Sequence, residues 1–421
     1  MTKRVLLVLL ALALVVSLVA FAACAKEEEE EEEEVWEWPQ RLLLTVMSTY
    51  SPNYGAFVAW STPLSKDTGM TVRIITESDS RLQQLWVKGG RFFAIGMHQN
   101  RDQFYGSEGN TRRDWGPWMS SIWIPGGLSY WSFCVWGDSG IKTPYDIKPG
   151  MKACMMTLAE EVQQAIYGLL AWAQVDPEDI VMVPLGSTRQ NCAFLIDGRV
   201  DFTVGYHTSP GWYEAEAAPH GLSWIELDWE KDPEGAQRFL DYYPWTSWGI
   251  ATGGVPTSEG VPMTKELFPL ITRFDTDPEL VYRIVKWLDE NYDRYKEGNP
   301  WCADMTMDNL IELAKFHYEP IHDGAVRYLE EKGLWTEELE TRRQYNIELM
   351  TLWVEAYQAA IKMADERGID VNPDNAEWQE LWENYREEHS LPLLVWFQEP
   401  GKEQPVYSDF YTRWNEVKPK F

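Results

Sequence analysis

From residue 42 onward the chain alternates short apolar runs with longer amphipathic stretches, and the alternation repeats. Leu42 to Met47 is a continuous apolar run, as expected of a strand buried on both faces of a parallel sheet. A helical stretch from Ala56 to Ser65 follows, then an extended run from Val72 to Thr76. A second helical stretch carries Leu82, Leu85 and Trp86, and a third strand runs from Phe92 to Ile95. The same sequence of elements recurs from residue 151: Met151 to Met155, a helix, Ile180 to Val183, a helix, then Val200 to Val204. Both copies close on Gly-Arg, a short apolar strand, Gly, one residue and His, at Gly90 to His98 and at Gly198 to His207. Strands and helices at this spacing read as βαβ units. Two copies predict an α/β clamshell of two lobes.

Ser129 to Gly137 reads as a strand crossing from the first lobe to the second, and the return is expected near 244–250. Glu234 to Leu240 is a short helix. Asp277-Pro278 opens another, with Asp as cap and Pro at the first helical position. Leu280, Val281, Ile284, Val285 and Leu288 form its apolar stripe. Further on, Ile347, Met350, Val354, Tyr357, Ile361 and Ala364 recur at helical spacing, as do Trp378, Leu381, Trp382 and Tyr385. These C-terminal stripes are expected to pack on the lobes or on each other. The predicted organisation is a first lobe from 41–134 plus 246–335, a second from 135–245, and a helical extension from 336–421.

Ligands of stacked parallel sheets bind at the C-terminal ends of the strands. In the first lobe those ends are 48–55, 76–81 and 96–99, and in the second 155–160, 185–190 and 205–210. The candidate ligand contacts are therefore Thr49, Tyr50, Tyr54, Ser78 and Gln99 on one side, and Thr157, Ser187, Thr188, Arg189 and Tyr206 on the other. Helix N-termini in these loops offer free N–H groups to an anion. Arg189 adds a guanidinium that can grip a carboxylate bidentately. Arg91 and Arg199 precede their strands at the far end from the cleft, which makes them structural. His98 and His207 end matched strands, but two lone histidines are a poor metal site.

Composition narrows the function further. The net charge of −29 excludes the basic footprint of a nucleic-acid binder. Trp is frequent, at 23 residues, and most are expected in the core. Lys3 and Arg4 precede an apolar run from Val5 to Phe21, followed by Ala22-Ala23-Cys24. That is an export signal over 1–23, ending at a Cys placed for lipidation as in a bacterial lipobox. The eight glutamates from Glu27 to Glu34 make 24–40 a solvated tether. Cys134, Cys154, Cys192 and Cys302 form no metal spacing; a disulfide is permitted but not required, and Cys154 and Cys192, in one lobe, are the pair that could form it. No nucleophile elbow, metalloprotease, phosphate-loop or dinucleotide motif is present, so neither an enzyme nor a cofactor is expected.

Three stretches carry a family resemblance. Asp138-Ser139-Gly140-Ile141-Lys142-Thr143-Pro144-Tyr145-Asp146-Ile147-Lys148-Pro149-Gly150, Leu195-Ile196-Asp197-Gly198-Arg199-Val200-Asp201, and Pro320 to Tyr328 through Gly333 resemble the TAXI-type solute-binding proteins of TRAP transporters. The likeness runs over roughly 42–335. It implies a type II-like periplasmic-binding fold and a small organic anion, a carboxylate or an amino acid, as ligand. It also implies a membrane permease as partner and a lipid-anchored, extracytoplasmic location. Two loops depart from the family pattern: 47–51 and 155–158 lack its glycines, so backbone approaches a ligand less closely there. The other expectations are a lipoprotein serving an ABC importer, and a surface interaction protein whose C-terminal helices do the work.

Overall fold

The computed structural model describes residues 36–46, 49, 52–77, 80–96, 111–156, 160–185, 189–395 and 405–419. Residues 1–39 and 40–421 form separate units. In the first, the Trp36 and Trp38 rings meet edge-on at 5.1 Å.

In the second unit, the first copy of the repeat comprises β1 (Arg41–Val46), α1 (Pro52–Thr68), β2 (Thr71–Thr76), α2 (Ser80–Lys88) and β3 (Ala94–Gly96). A long strand follows, β4 (Ser120–Trp136). The second copy is β5 (Lys152–Met156), α3 (Glu160–Ala173), β6 (Val181–Leu185), α4 (Arg189–Ile196) and β7 (Phe202–Tyr206). Then come α5 (Pro210–Ala217), β8 (Leu222–Trp224), α6 (Pro233–Leu240), β9 (Ser247–Ile250) and a second long strand, β10 (Pro262–Arg273). The described residues then continue with α7 (Pro278–Glu290), α8 (Met307–Phe316), α9 (Asp323–Glu331), α10 (Glu337–Arg367), α11 (Ala376–Glu388) and α12 (Tyr407–Val417).

Among the described residues all ten strands lie in one mixed sheet, ordered β2-β1-β3-β10-β4-β7-β5-β6 along its main path. Read inward from either end, the order is the same. β1 pairs in parallel with β2 and β3, and β5 pairs in parallel with β6 and β7. β3 then meets β10 antiparallel, and β7 meets β4 antiparallel. The sequence repeat is thus a repeat in the sheet, with Gly90 and Gly198 at matched turns in the left-handed region, φ 70° and 66°. This is the expected α/β, type II-like architecture, with a helical extension at the C-terminus.

β4 and β10 are shared by the two halves. β4 has 17 residues and β10 has 12, and they pair antiparallel from Thr264↔Trp131 to Arg273↔Ser120. The ladder is irregular in the middle, between Leu267 and Pro269 and again between Leu270 and Ile271, where Pro269 faces Pro125. Proline donates no ladder hydrogen bond, and a bulge increases local twist and bend. The ribbon is therefore least constrained where pairing passes from one half to the other. That point differs from the expected return near 244–250. Ser247 to Ile250 forms β9, which pairs with the first part of β10 on the second half.

The cores use the tryptophans as expected. Trp131, Trp172, Phe239, Tyr243 and Trp248 interlock on one face of the second half, with ring centroids 5.4–6.4 Å apart. In the first half Trp123 meets Trp60 at 6.0 Å and Phe93 at 5.1 Å. The predicted stripes of α7, α10 and α11 are buried at Val281, Ile284, Val285, Leu288, Met350, Tyr357, Ala364, Trp378, Leu381 and Trp382. Cys134, Cys154, Cys192 and Cys302 are all free thiols, so the disulfide that Cys154 and Cys192 could have made is absent. No helix among the described residues is long and apolar enough to cross a membrane. The signal, lipidation and tether readings, at 1–23, Cys24 and most of 24–40, lie outside the described residues.

Candidate functional site

The ends of β3 and β7 both reach the middle of the β4–β10 ribbon, Gly96 beside Leu270 and Tyr206 beside Trp131, and the predicted contacts follow the strand ends in sequence. Of these, Thr49 is exposed, and Tyr54 and Tyr206 are half-buried. Tyr50, Ser78, Gln99, Thr157, Ser187 and Thr188 lie outside the described residues. Arg189 opens α4, and its side chain lies outside what is described.

On the first half, Asn53 is the side chain that ties the site together. It is buried in the first turn of α1, and its amide N–H donates to the Gly96 carbonyl at the end of β3, 2.9 Å away. That bond fixes the start of α1 against the end of β3. The other amide atom, Oδ1, is buried and has no hydrogen-bond partner among the described residues.

A short turn, Pro300–Asp304, closes over the ribbon and was not legible as part of the site. Asn299 caps it by accepting from the Trp301 N–H at 3.0 Å, and Pro300 suits the first position. Trp301 is buried against Gly127 of β4, so closely that a Cβ at residue 127 would lie 2.6 Å from the indole. Its ring meets Phe268 of β10 at 4.7 Å, and Phe268 meets Tyr206 at the end of β7 at 5.9 Å. One aromatic line therefore runs from the turn, across the ribbon, to a predicted ligand contact on the second half. The neighbouring Asp304 is pushed up to about 6 by burial, against the pull of the Leu128 N–H and the Lys265 ammonium. A capping Asn-Pro pair was the one sequence signal for this turn.

His207 holds the end of β7 in place, while its counterpart His98 lies outside the described residues. The His207 ring nitrogens lie 2.8 Å from the Tyr130 carbonyl and 3.2 Å from the Thr252 carbonyl. Burial pushes its protonation below the ordinary range, so the ring is neutral at pH 7 and donates to one of the two. Among the described residues no three His, Cys, Asp or Glu side chains gather as a metal site. The guanidinium carbons of Arg199 and Arg91 lie 3.6 Å over the Phe194 ring and 5.8 Å over the Trp86 ring.

A separate cavity of about 110 Å³ opens beside β9 and β10, with Lys265, Glu312 and Phe316 in its wall. That is too small for an organic solute, which needs roughly 300 Å³ or more.

Residues 127–333 match the family model described as NMT1-like family. That stretch takes in β4 from Gly127, the whole second half, β10 and the chain through α9. No curated protein matches the chain. Among solved structures, similar folds include an ancestral arginine-binding protein bound to arginine, 15% identical, covering 62% of this chain and 98% of its own, at a TM-score of 0.38. Substrate-binding domain 2 of Lactococcus lactis GlnP in its open conformation is 11% identical, covering 64% and 97%, at 0.38. The L-cystine solute receptor of Neisseria gonorrhoeae in its unliganded open conformation is 15% identical, covering 63% and 94%, at 0.33.

Proposed function

We propose that the chain is an extracytoplasmic solute receptor that holds a small organic anion, a carboxylate or an amino acid, between the two halves of its sheet. The observation that carries this reading is the duplicated sheet joined through one ribbon that is irregular at Pro125 and Pro269. Two rigid halves with facing strand ends can close on a small molecule by bending that ribbon. Closure is then a population shift, driven by contacts the ligand makes only in the closed form. Thr49, Tyr50, Tyr54, Ser78, Gln99, Thr157, Ser187, Thr188, Arg189 and Tyr206 supply those contacts. The receptor catalyses no reaction and uses no cofactor or metal. Its lobes meet within the ribbon, near Pro125 on β4 and Pro269 on β10.

On this reading the mature chain starts at lipidated Cys24 and hands its solute to the permease of a TRAP-type secondary transporter. The family resemblance at 138–150, 195–201 and 320–333 favours that partner over an ABC importer. Proteoliposomes holding the permease test it: TRAP uptake follows an ion gradient, whereas uptake driven by ATP overturns this part. The interaction-protein reading loses support from the burial of the C-terminal stripes against the body of the protein.

A further inference from the structure

We propose that the C-terminal extension, α10 to α12, is a strap that spans the two halves of the sheet and limits how far they open. This rests on the reading of the β4–β10 ribbon as a hinge.

One end of the extension is fastened to the first half. Residues 111–116 lead directly into β4, and their backbone carbonyls are taken up by the extension. The Trp378 N–H donates to the Thr111 carbonyl at 2.8 Å, and the Tyr357 hydroxyl to the Arg112 carbonyl at 3.0 Å. Gln379 donates to the Thr111 hydroxyl at 2.7 Å, and Arg113 pairs bidentately with Asp365. Gly116 is in the left-handed region, φ 54°, with no room for a Cβ beside the Tyr357 ring. Further along α10, Arg343 donates to the Ile321 carbonyl and Asn346 to the His317 carbonyl, each at 2.7 Å. Ile321 bridges to Ile122 of β4.

The other end is fastened to the second half. Trp414 of α12 meets Tyr167 of α3 edge-on at 5.2 Å. Phe410 meets Trp245 at 5.1 Å, and the Trp245 N–H donates to the Leu394 carbonyl at 3.0 Å. Trp245 in turn packs on Tyr243 and through it on Phe239, inside the second half's aromatic core.

Between these ends the extension is internally tied. Trp353 of α10 donates to the Pro392 carbonyl at 3.0 Å and meets Tyr407 at 5.4 Å. The Arg386 guanidinium donates to the Tyr407 hydroxyl at 2.9 Å and lies 5.1 Å over the Trp382 ring. The body is therefore continuous from Thr111 to Tyr167. Any bend of the ribbon that moves α3 relative to residues 111–116 has to stretch or break it. A receptor lacking such a bridge opens as far as its ribbon allows.

The test is the separation of the halves in the full chain without ligand. Nitroxides carried by noncanonical residues replace Ile75 on β2 and Val181 on β6, both exposed on the outermost strands. Pulsed electron resonance should give one narrow distance distribution. In Phe410→Ala/Trp414→Ala, checked as folded by a cooperative melt, the distribution should at least double in width or shift to longer distance. Tyr167→Leu, which leaves the extension intact, serves if the double variant fails to fold. A distribution unchanged in a folded variant overturns the strap. The receptor reading fails separately, on the absence of any solute that binds.

Discussion

Replacing Gly127 by alanine tests the packing of Trp301 on the ribbon. The added carbon would lie 2.6, 2.8 and 2.8 Å from the indole Cγ, the side-chain Cβ and the indole Cδ2. Carbon atoms settle at about 3.5–4.0 Å, so Trp301 or β4 has to retreat by about 1 Å. Phe268 stands behind the indole at 4.7 Å, and the atoms struck are the root of the side chain rather than its free end. Overpacking of this kind costs about 1–3 kcal/mol. Gly127 is not in the left-handed region, so its backbone accepts alanine. Removing the obstacle should therefore reverse the sign. In a Trp301→Ala background, Gly127→Ala is expected to be neutral or to stabilise by about 0.4–1 kcal/mol, through the unfolded chain. Urea unfolding of the four proteins in this cycle measures it. An equal cost of Gly127→Ala in both backgrounds would refute the contact.

Asp304→Asn should stabilise the protein at pH 7 and leave it unchanged near pH 4. The carboxyl is raised from 3.8 to about 6, so its charged form is disfavoured in the fold, and wild type loses stability as pH rises through that window. The gap sets an upper bound of about 3 kcal/mol; urea midpoints that differ equally at both pH values would sink the argument. His322 shows the opposite sense. Burial lowers it from 6.5 to about 4, so the unfolded chain takes the proton first and stability is lost as pH falls from 6.5 toward 4. His322→Asn keeps an acceptor for the Gly324 N–H, now 3.1 Å from Nδ1, and should flatten the acid limb by up to about 3 kcal/mol, read as urea midpoints across that range. Arg189→Ala should weaken a carboxylate ligand by about 2–5 kcal/mol in a calorimetric titration; an unchanged affinity removes Arg189 from the site.

The repeat was legible because each copy carries its own punctuation. Gly90-Arg91 and Gly198-Arg199 need a left-handed turn before a buried strand, a local requirement written in the sequence. The helix at Asp277-Pro278 was legible for the same reason, its cap accepting from the Glu279 N–H at 2.9 Å. The ribbon was not. β4 is buried on both faces and is interrupted by Pro125 and Gly127, so only its second part reads as a strand. The return crossing was misplaced because Ser247 to Ile250 looks like a central strand but lies beside β10. The turn carrying Trp301 and Asp304 owes its place to Gly127, Phe268 and Leu128, partners that only the tertiary fold brings near. Cys154 and Cys192 share a half, but proximity in sequence order carries no information about the geometry a disulfide needs.

Thermal unfolding against a panel of amino acids, dicarboxylates, keto acids and aromatic acids tests the receptor most directly. A solute at 100 times its dissociation constant adds about 2.7 kcal/mol by mass action. At about 2.1 cal/mol/K per residue, this raises the midpoint of a chain of this length by about 3 °C. A rise of that size with one carboxylate or amino acid is the result the account predicts. A midpoint that no organic anion in the panel moves would contradict it.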